Sequence, residues 1–214
     1  MLSKHLSGLM TKESADVPFS IVGVTYNTGT SDYDLPIPTG TQTGDLLFLF
    51  SAHDNSPYGQ GTPTGWTEYI NYNYGVSHSA NYVFYSGSVS NPVVADYGGN
   101  AASHMLVAIR GVDTITTYPT YSYSFATAGM PNAAAFSATA GRYLICIGYL
   151  DDDAVTNVTA PTGYTLIGSN ASGQAATVMA AYKEVTATGS DDPSAFGGSG
   201  TDANGAYLFE VWKA

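Results

Sequence analysis

Clustered carboxylates are the side chains of this sequence best suited to chemistry. Three consecutive acids, Asp151, Asp152 and Asp153, follow an apolar run, and Asp54 and Asn55 follow another. Hard oxygen ligands grouped on a loop can bind Ca²⁺. The acids lack the DxDxDG order that fixes ligand geometry in calcium-binding loops, and a solvated acidic loop is the commoner arrangement. We predict no metal and no cofactor, with calcium in the loops around Asp54 and Asp151 left as an open alternative.

Histidine and serine show no catalytic spacing. His5, His53, His78 and His104 form neither an HxH nor an HExxH pair, so no zinc-binding pair is written here. No GxSxG nucleophile motif occurs. Ser103 and His104 are adjacent, and neighbours on a strand point to opposite faces, which prevents a dyad. We interpret these polar side chains as solvent-facing and predict that the chain is not an enzyme.

The composition argues against nucleic acid and membrane as partners. The 214 residues include 6 Lys or Arg and 17 Asp or Glu, a formal net charge of -11, which phosphate backbones repel. No stretch reaches the roughly 18 apolar residues that a membrane-spanning helix needs. Cys146 is the single cysteine and lies in the apolar run RYLICIGYL, so we interpret it as a buried, inert thiol.

The elements that would position these residues are strands. From Pro18 onward, apolar and aromatic runs alternate with Gly, Pro and Asn turn signals, and no helical pattern interrupts them. The continuous apolar run DLLFLFSA predicts a central strand covered on both faces. We predict an all-β fold: a single jelly-roll-like β-sandwich over residues 18–214, behind a short N-terminal arm at residues 1–17.

The sandwich is predicted to consist of two related halves, about residues 18–116 and 117–214. When Gly44 is set on Gly141, TGDLLFLF matches AGRYLICI and PTGWT falls on PTGYT. The same alignment sets Tyr85 on Tyr182, and the offset between the halves drifts from 97 to 102 residues in the loops. Each half has too few strands to bury both faces alone, so we expect the halves to pair about a pseudo-twofold axis.

The repeated phrase is interpreted as a structural turn. We expect the proline at the first corner of a type I turn and the glycine at its last position, with the following aromatic residue plugging the end of the sandwich. The residues concerned are Pro63, Gly65, Trp66, Pro161, Gly163 and Tyr164.

Two segments are candidates for binding a partner. In the arm, apolar residues at helical spacing alternate with two lysines, which favours an anchor that orders against a neighbouring protein over a frayed terminus. In WTEYINYNY, one face of the predicted strand carries Tyr and Asn side chains suited to sugar or protein contacts, whereas Tyr72, Tyr74 and Tyr82 are interpreted as pairing within the sheet. The candidates are Leu2, Lys4, Leu6, Leu9, Met10 and Lys12 in the arm, and Tyr69, Asn71 and Asn73 on the strand.

The quoted runs also resemble a group of tailed-bacteriophage virion proteins with sandwich or jelly-roll domains. The resemblance covers about residues 20–214 and rests on TGDLLFLF, PTGWT and MLVAIRGVD, with AGRYLICI, PTGYT and YLFEVWKA in the second half. It implies a virion part assembled in the host cytoplasm, and it brings no catalytic residue.

Within that group we expect a head decoration or cement protein. The chain lacks the coiled-coil heptads or glycine repeats of a fibre shaft. The expected partners are the major capsid protein or another virion protein, together with further copies of the chain, a trimer being favoured. The alternative is a tail-fibre or adhesin domain that binds a host receptor or glycan.

Overall fold

The computed structural model describes residues 17–29, 33–53, 61–74, 76–94, 102–115, 121–151, 155–171 and 176–213. Within these ranges every regular element is a strand, and the all-β sandwich predicted from the sequence is confirmed. The strands are β1 (Ser20–Gly29), β2 (Tyr33–Asp34), β3 (Leu46–His53), β4 (Thr67–Tyr74), β5 (Val76–Phe84), β6 (Val93–Val94), β7 (Ala102–Arg110), β8 (Val112–Ile115), β9 (Tyr121–Ala126), β10 (Phe136–Ala138), β11 (Tyr143–Leu150), β12 (Thr165–Ala171), β13 (Thr177–Glu184), β14 (Gly189–Asp191) and β15 (Asn204–Lys213).

The two large sheets have the same strand order, and each is formed by one half of the chain except that β8 of the first half joins the second sheet. The first sheet runs β1-β7-β3-β5-β4, and the second runs β9-β15-β11-β13-β12, with β8 also pairing with β15. A bulge between Glu68 and Ile70 in β4 matches one between Leu166 and Gly168 in β12. The related sequences therefore specify the same topology and the same irregularity.

The registers give the residue-by-residue equivalence of the halves. Leu46 pairs with Phe84 and Ile109, as Tyr143 pairs with Glu184 and Val211. The offset between the halves is therefore 97 on the central strand, 100 on β5 and 102 on β7, as these pairings fix it.

The offset on β5 corrects the alignment of Tyr85 with Tyr182. The backbone of Tyr85 bonds to Gly44 and Asp45, and in the second half Val185 bonds in the same way to Gly141 and Arg142. Tyr85 is therefore equivalent to Val185. The sequence alignment erred by three residues because the tyrosine identity drew it out of register.

The core lies between the two sheets. Central strand β3 is buried along its whole length, as DLLFLFSA predicted. One face of β3, with Phe48 and Phe50, packs in a single cluster with Ile145 and Ile147 of the second sheet. His78 lies in the same interior, where its Nε2 is 2.8 Å from the hydroxyl of Tyr207 and its ring stacks on Tyr149 at a centroid distance of 4.4 Å.

The repeated aromatic residue lies outside this core, which corrects the expectation that it plugs the end of the sandwich. Trp66 packs on the outer face of the first sheet with Leu47 and Leu49, beneath Leu35 and Val94. Tyr164 packs in the same manner against the outer cluster of the second sheet. The phrase therefore fastens a covering layer to each sheet.

The turn itself is of type II, not type I. The N–H of Trp66 donates to the carbonyl of Pro63 at 3.0 Å, so Pro63 is the first residue of the turn and Gly65 the third. Gly65 has φ 84° and Gly163 has φ 82°, the left-handed value that the third position of a type II turn requires. Glycine is the residue that adopts this conformation without strain.

Several sequence predictions concern residues outside the described ranges. They are the arm candidates Leu2, Lys4, Leu6, Leu9, Met10 and Lys12, the acids Asp54, Asp152 and Asp153, and the boundary between the halves at residues 116 and 117. Cys146 is described and is fully buried, as predicted.

Candidate functional site

A row of polar side chains crosses the first sheet from edge to edge. Cross-strand pairing aligns Asn27, His104, Ser51, Ser79 and Asn71, one from each of the five strands in spatial order. The alternation of β3 turns Ser51 away from the core that contains Phe48 and Phe50. The row therefore lies on the outer face of the sheet, beside the apolar cluster of Trp66.

The middle of this row is buried, and so are two polar neighbours. His53 follows Ser51 on the same face of β3, and Asn81 follows Ser79 on β5. We call Ser51, His53, Ser79, Asn81 and His104 the polar cluster; each is at most 3 % exposed. The interpretation of the histidines as solvent-facing is therefore wrong for His53 and His104, and also for His78 in the core. The sequence around a histidine in a short strand does not indicate whether another layer of the protein covers its side chain.

Hydrogen bonding within the polar cluster is incomplete. Nδ1 of His104 lies 2.8 Å from Oγ of Ser51, and the rings of His53 and His104 meet edge to face at 5.4 Å. The hydroxyl of Ser79 and both polar atoms of Asn81 are buried without a hydrogen-bond partner. A buried polar group left unpaired costs about 1–3 kcal/mol, so this part of the sheet is destabilised by its own side chains.

The second half shows that the fold does not need these polar groups. At the positions equivalent to Ser51, His53, Ser79, Asn81 and His104, the second sheet has Gly148, Leu150, Met179, Ala181 and Ala206. Apart from Gly148, these residues pack together in one apolar cluster. Since the same topology forms with an apolar face, this strand order does not require the polar cluster.

Burial keeps both histidines neutral at physiological pH. Desolvation lowers the pKa of His53 to about 4. Desolvation, and then the charge of His53, lower the pKa of His104 to about 3. Neutral imidazoles can donate and accept hydrogen bonds and can ligate transition metals. Among the described residues, however, no group of three or more His, Cys, Asp or Glu side chains is placed to hold a metal ion.

Ser103 and His104 form no dyad, as predicted, but Ser103 is fully buried and not solvent-facing as interpreted. Its hydroxyl donates to the carbonyl of Ala176 in the facing sheet, whereas His104 bonds to Ser51 on the opposite face. The adjacent residues serve different layers of the sandwich.

The strand candidates separate into a buried and an exposed residue. Tyr69 occupies the β4 bulge and is 7 % exposed; its ring packs against Phe48 and Phe209. The extra residue of the bulge breaks the alternation and turns Tyr69 inward, so Tyr69 does not offer its ring to a partner. Asn71 is exposed, and its side-chain amide donates to Glu68 at 3.0 Å. Asn73 pairs with Ser77 in the sheet, and its side chain lies outside the described residues.

Of the three rings interpreted as pairing within the sheet, Tyr72 and Tyr82 do so, whereas the side chain of Tyr74 lies outside the described residues. Tyr72 stacks on Phe125 of the second sheet at a centroid distance of 4.3 Å, and Tyr82 packs against Phe48. Phe48 is the cross-strand neighbour of Tyr82, and Tyr72 also stacks on its own cross-strand neighbour His78. Both rings therefore pair within the first sheet, and Tyr72 contacts the second sheet as well.

A pocket of about 620 Å³ opens beside the first copy of the repeated turn. One wall is the turn, and the other is the segment leading into β6. The pocket is lined by Gly61, Thr62, Pro63, Thr64, Gly65, Trp66, Ser88, Val89, Ser90, Asn91, Pro92 and Val93. The structural turn residues of the first half thus border a cavity, a role that the sequence analysis did not assign to them.

Comparisons of the chain with protein-family models, with curated proteins and with solved structures find no match in any of the three. No helix among the described residues is long and apolar enough to cross a membrane.

Proposed function

We propose that the chain is a structural protein of a tailed-phage virion that decorates the head and stabilises it by protein–protein contacts. The proposal begins from the resemblance of TGDLLFLF, PTGWT and MLVAIRGVD to proteins of that group. The support in the structure is that these motifs form strands, turns and an ion pair that hold the sandwich together, which fits a structural role.

One ion pair joins two of the motifs. Arg110, from MLVAIRGVD, donates to both carboxylate oxygens of Asp45, from TGDLLFLF, at 3.0 and 2.8 Å. Asp45 also accepts from the N–H of Gln42 at 2.7 Å, and Arg110 donates to the carbonyl of Gly40 at 2.9 Å. Segments 65 residues apart are thereby locked at one end of the sheet. This interaction is the observation that carries the proposal.

Exposed apolar side chains at the sheet edges favour contact with neighbouring subunits. Tyr26 on edge strand β1, Tyr123 on β9 and Leu166 on edge strand β12 are among the exposed large hydrophobic residues. Edge strands present unpaired backbone groups, which proteins pair or cover. We propose that further copies of the chain, in a trimer, and the major capsid protein cover these edges.

The copy number of the protein in purified particles tests the proposal. Quantitative mass spectrometry against the major capsid protein is expected to give hundreds of copies for a head decoration. A handful of copies would indicate the tail-fibre alternative, and absence from the particle would refute both.

A second experiment tests the arm. Purified full-length protein is expected to bind heads that lack it, and a variant without residues 1–17 is expected to lose this binding while retaining its β-rich circular dichroism spectrum. Undiminished binding by the truncated variant would remove the arm from the proposal.

A further inference from the structure

We propose that the pocket beside the first repeated turn is a binding site for an uncharged carbohydrate. The inference concerns residues 61–66 and 88–93 and does not depend on whether the protein decorates a head. It rests on three features: the rigidity of both walls, the chemistry of the lining, and the different arrangement beside the second copy of the turn.

Both walls are fixed before any ligand arrives. The hydrogen bond from Trp66 to Pro63 closes the turn, and the indole of Trp66, 8 % exposed, anchors it in the apolar outer cluster. The opposite wall is bonded to the segment that follows β2. The N–H of Leu35 donates to the carbonyl of Pro92 at 3.0 Å, and the N–H of Ile37 donates to Oδ1 of Asn91 at 3.2 Å. Preformed walls lower the entropy cost of binding.

The lining selects for a neutral ligand that has hydroxyl groups and an apolar face. Its hydroxyls come from Thr62, Thr64, Ser88 and Ser90, and an amide comes from Asn91. The hydroxyl of Thr62 also donates to Glu68, and that of Ser88 also bonds to Ser86. Pro63, Val89 and Val93 supply most of the apolar surface, and the largely buried Trp66 adds the small part of its ring that is exposed. None of the described lining residues carries a charge. An anionic ligand would therefore lose its hydration without gaining a cationic side chain as its partner.

Sugar rings combine these properties, because their hydroxyls exchange hydrogen bonds with hydroxyl and amide side chains while their C–H faces pack on apolar side chains. Oδ1 of Asn91 already accepts from Ile37, which directs the amide so that its NH₂ group serves as the donor. A volume of about 620 Å³ lies within the range of roughly 300–1,000 Å³ typical of small-ligand sites.

In the second turn, side chains of residues 191–194 bond to a backbone N–H and to the aromatic residue of the turn. The N–H of Thr162, equivalent to Thr64, donates to Oγ of Ser194 at 2.9 Å. The hydroxyl of Tyr164, equivalent to Trp66, donates to Asp191 at 2.7 Å, and Lys183 pairs with Asp191. The second turn is therefore bonded to residues 191–194, whereas the first turn, with an indole in place of the phenol, borders the cavity.

The experiment uses the full chain on an array of neutral and sialylated glycans, followed by titration of the best neutral oligosaccharide. Trp66 and Trp212 are the two tryptophans, so a Trp212→Phe variant makes the indole fluorescence report on the pocket. We expect binding of neutral glycans and a saturable change in Trp66 emission. An array without neutral binders, or one on which sialylated glycans bind more tightly, would overturn the proposal.

Matched variants locate the site. Ser90→Phe fills the pocket from an exposed position and is expected to weaken binding at least tenfold, and Asn91→Asp, which keeps the acceptor but removes the donor, is expected to weaken it severalfold. Thr64→Val is expected to weaken it two- to fivefold, whereas Thr162→Val in the second turn leaves it unchanged. Equal effects of the two threonine variants, or full binding by both Ser90→Phe and Asn91→Asp, would place the ligand elsewhere and refute the assignment.

Discussion

Asp45 and Arg142 occupy equivalent positions before the central strands of the two halves, yet they carry opposite charges. Asp45 pairs with Arg110 at 2.8 Å, and Arg142 pairs with Glu210 at 2.6 Å. The N–H of Gln42 donates to Asp45, and the equivalent N–H of Thr139 donates to Glu210. Both halves thus place a carboxylate, a guanidinium and a backbone N–H together at this end of the sheet. The carboxylate comes from the residue before β3 in the first half and from β15 in the second.

The Asp45–Arg110 pair is expected to be strongly coupled. Arg110→Met leaves the buried carboxylate of Asp45 without its cation, which is costly, so this single variant should be less stable than Arg110→Met combined with Asp45→Asn. Chemical denaturation of the wild type, both single variants and the double variant completes the cycle. Additive changes in the free energy of unfolding would show that the pair contributes no coupling.

The repeated glycines are expected to be equally sensitive to substitution. Gly65→Ala and Gly163→Ala should each lower the free energy of unfolding by about 1 kcal/mol, because a Cβ disfavours the left-handed conformation. At both positions the Cβ would meet open space, so the cost is one of backbone conformation. Gly189→Ala, with open space but no positive φ, is the control and should not destabilise. A neutral Gly65→Ala would contradict the type II assignment.

Replacing an unpaired polar group of the cluster is expected to stabilise the protein. Asn81→Leu keeps nearly the same shape and removes a buried amide without partners, which should raise the free energy of unfolding by about 1–2 kcal/mol. The reverse change at the equivalent position, Ala181→Asn, should lower it. Thermal and urea denaturation measure both. A destabilised Asn81→Leu would mean that the amide has a stabilising partner.

The histidines of the cluster are expected to make stability fall on acidification. The pKa of His53 is about 4 in the folded state against about 6.5 in an unfolded chain, so the unfolded state binds the proton first. The contribution is fully present above pH 6.5 and is lost as the pH falls to about 4, by up to about 3 kcal/mol. His53→Leu, which copies Leu150, should flatten the profile over this window. Parallel profiles for variant and wild type would contradict the assignment.

Cys146 is expected to be inert in the folded protein. The thiol is fully buried, and burial raises its pKa well above the ordinary value, so the nucleophilic thiolate does not form. A thiol-reactive dye should label the native protein only at the rate of unfolding and should label it at once in denaturant. Rapid labelling of the native state would show that the second sheet opens locally.

Much of the fold is legible in the sequence. The unbroken apolar run of β3 places it in the centre of a sheet. The match of TGDLLFLF with AGRYLICI, and of PTGWT with PTGYT, predicts two related halves. These signals are periodic, and periodicity reports directly on burial and pairing. The bulge at Tyr69 was missed because an alternating run gives no sign of an inserted residue.

The polar cluster was missed for a different reason. Setting Tyr85 on Tyr182 shifts β5 by three residues, and an odd shift compares side chains on opposite faces. The correct register sets Ser79 on Met179 and Asn81 on Ala181, which marks the polar positions as departures from an apolar pattern. The pocket could not be foreseen at all, because its second wall is placed by contacts with Leu35 and Ile37.

The matching order of the two sheets has a consequence for how such a chain can change. The apolar outer face of the second sheet shows that this strand order folds without buried polar groups there. Side chains on the outer face of the first sheet point away from the core that it shares with the second, so substitutions there alter the outer surface and leave the shared core in place. The two sheets can therefore differ in their outer faces while they share one interior.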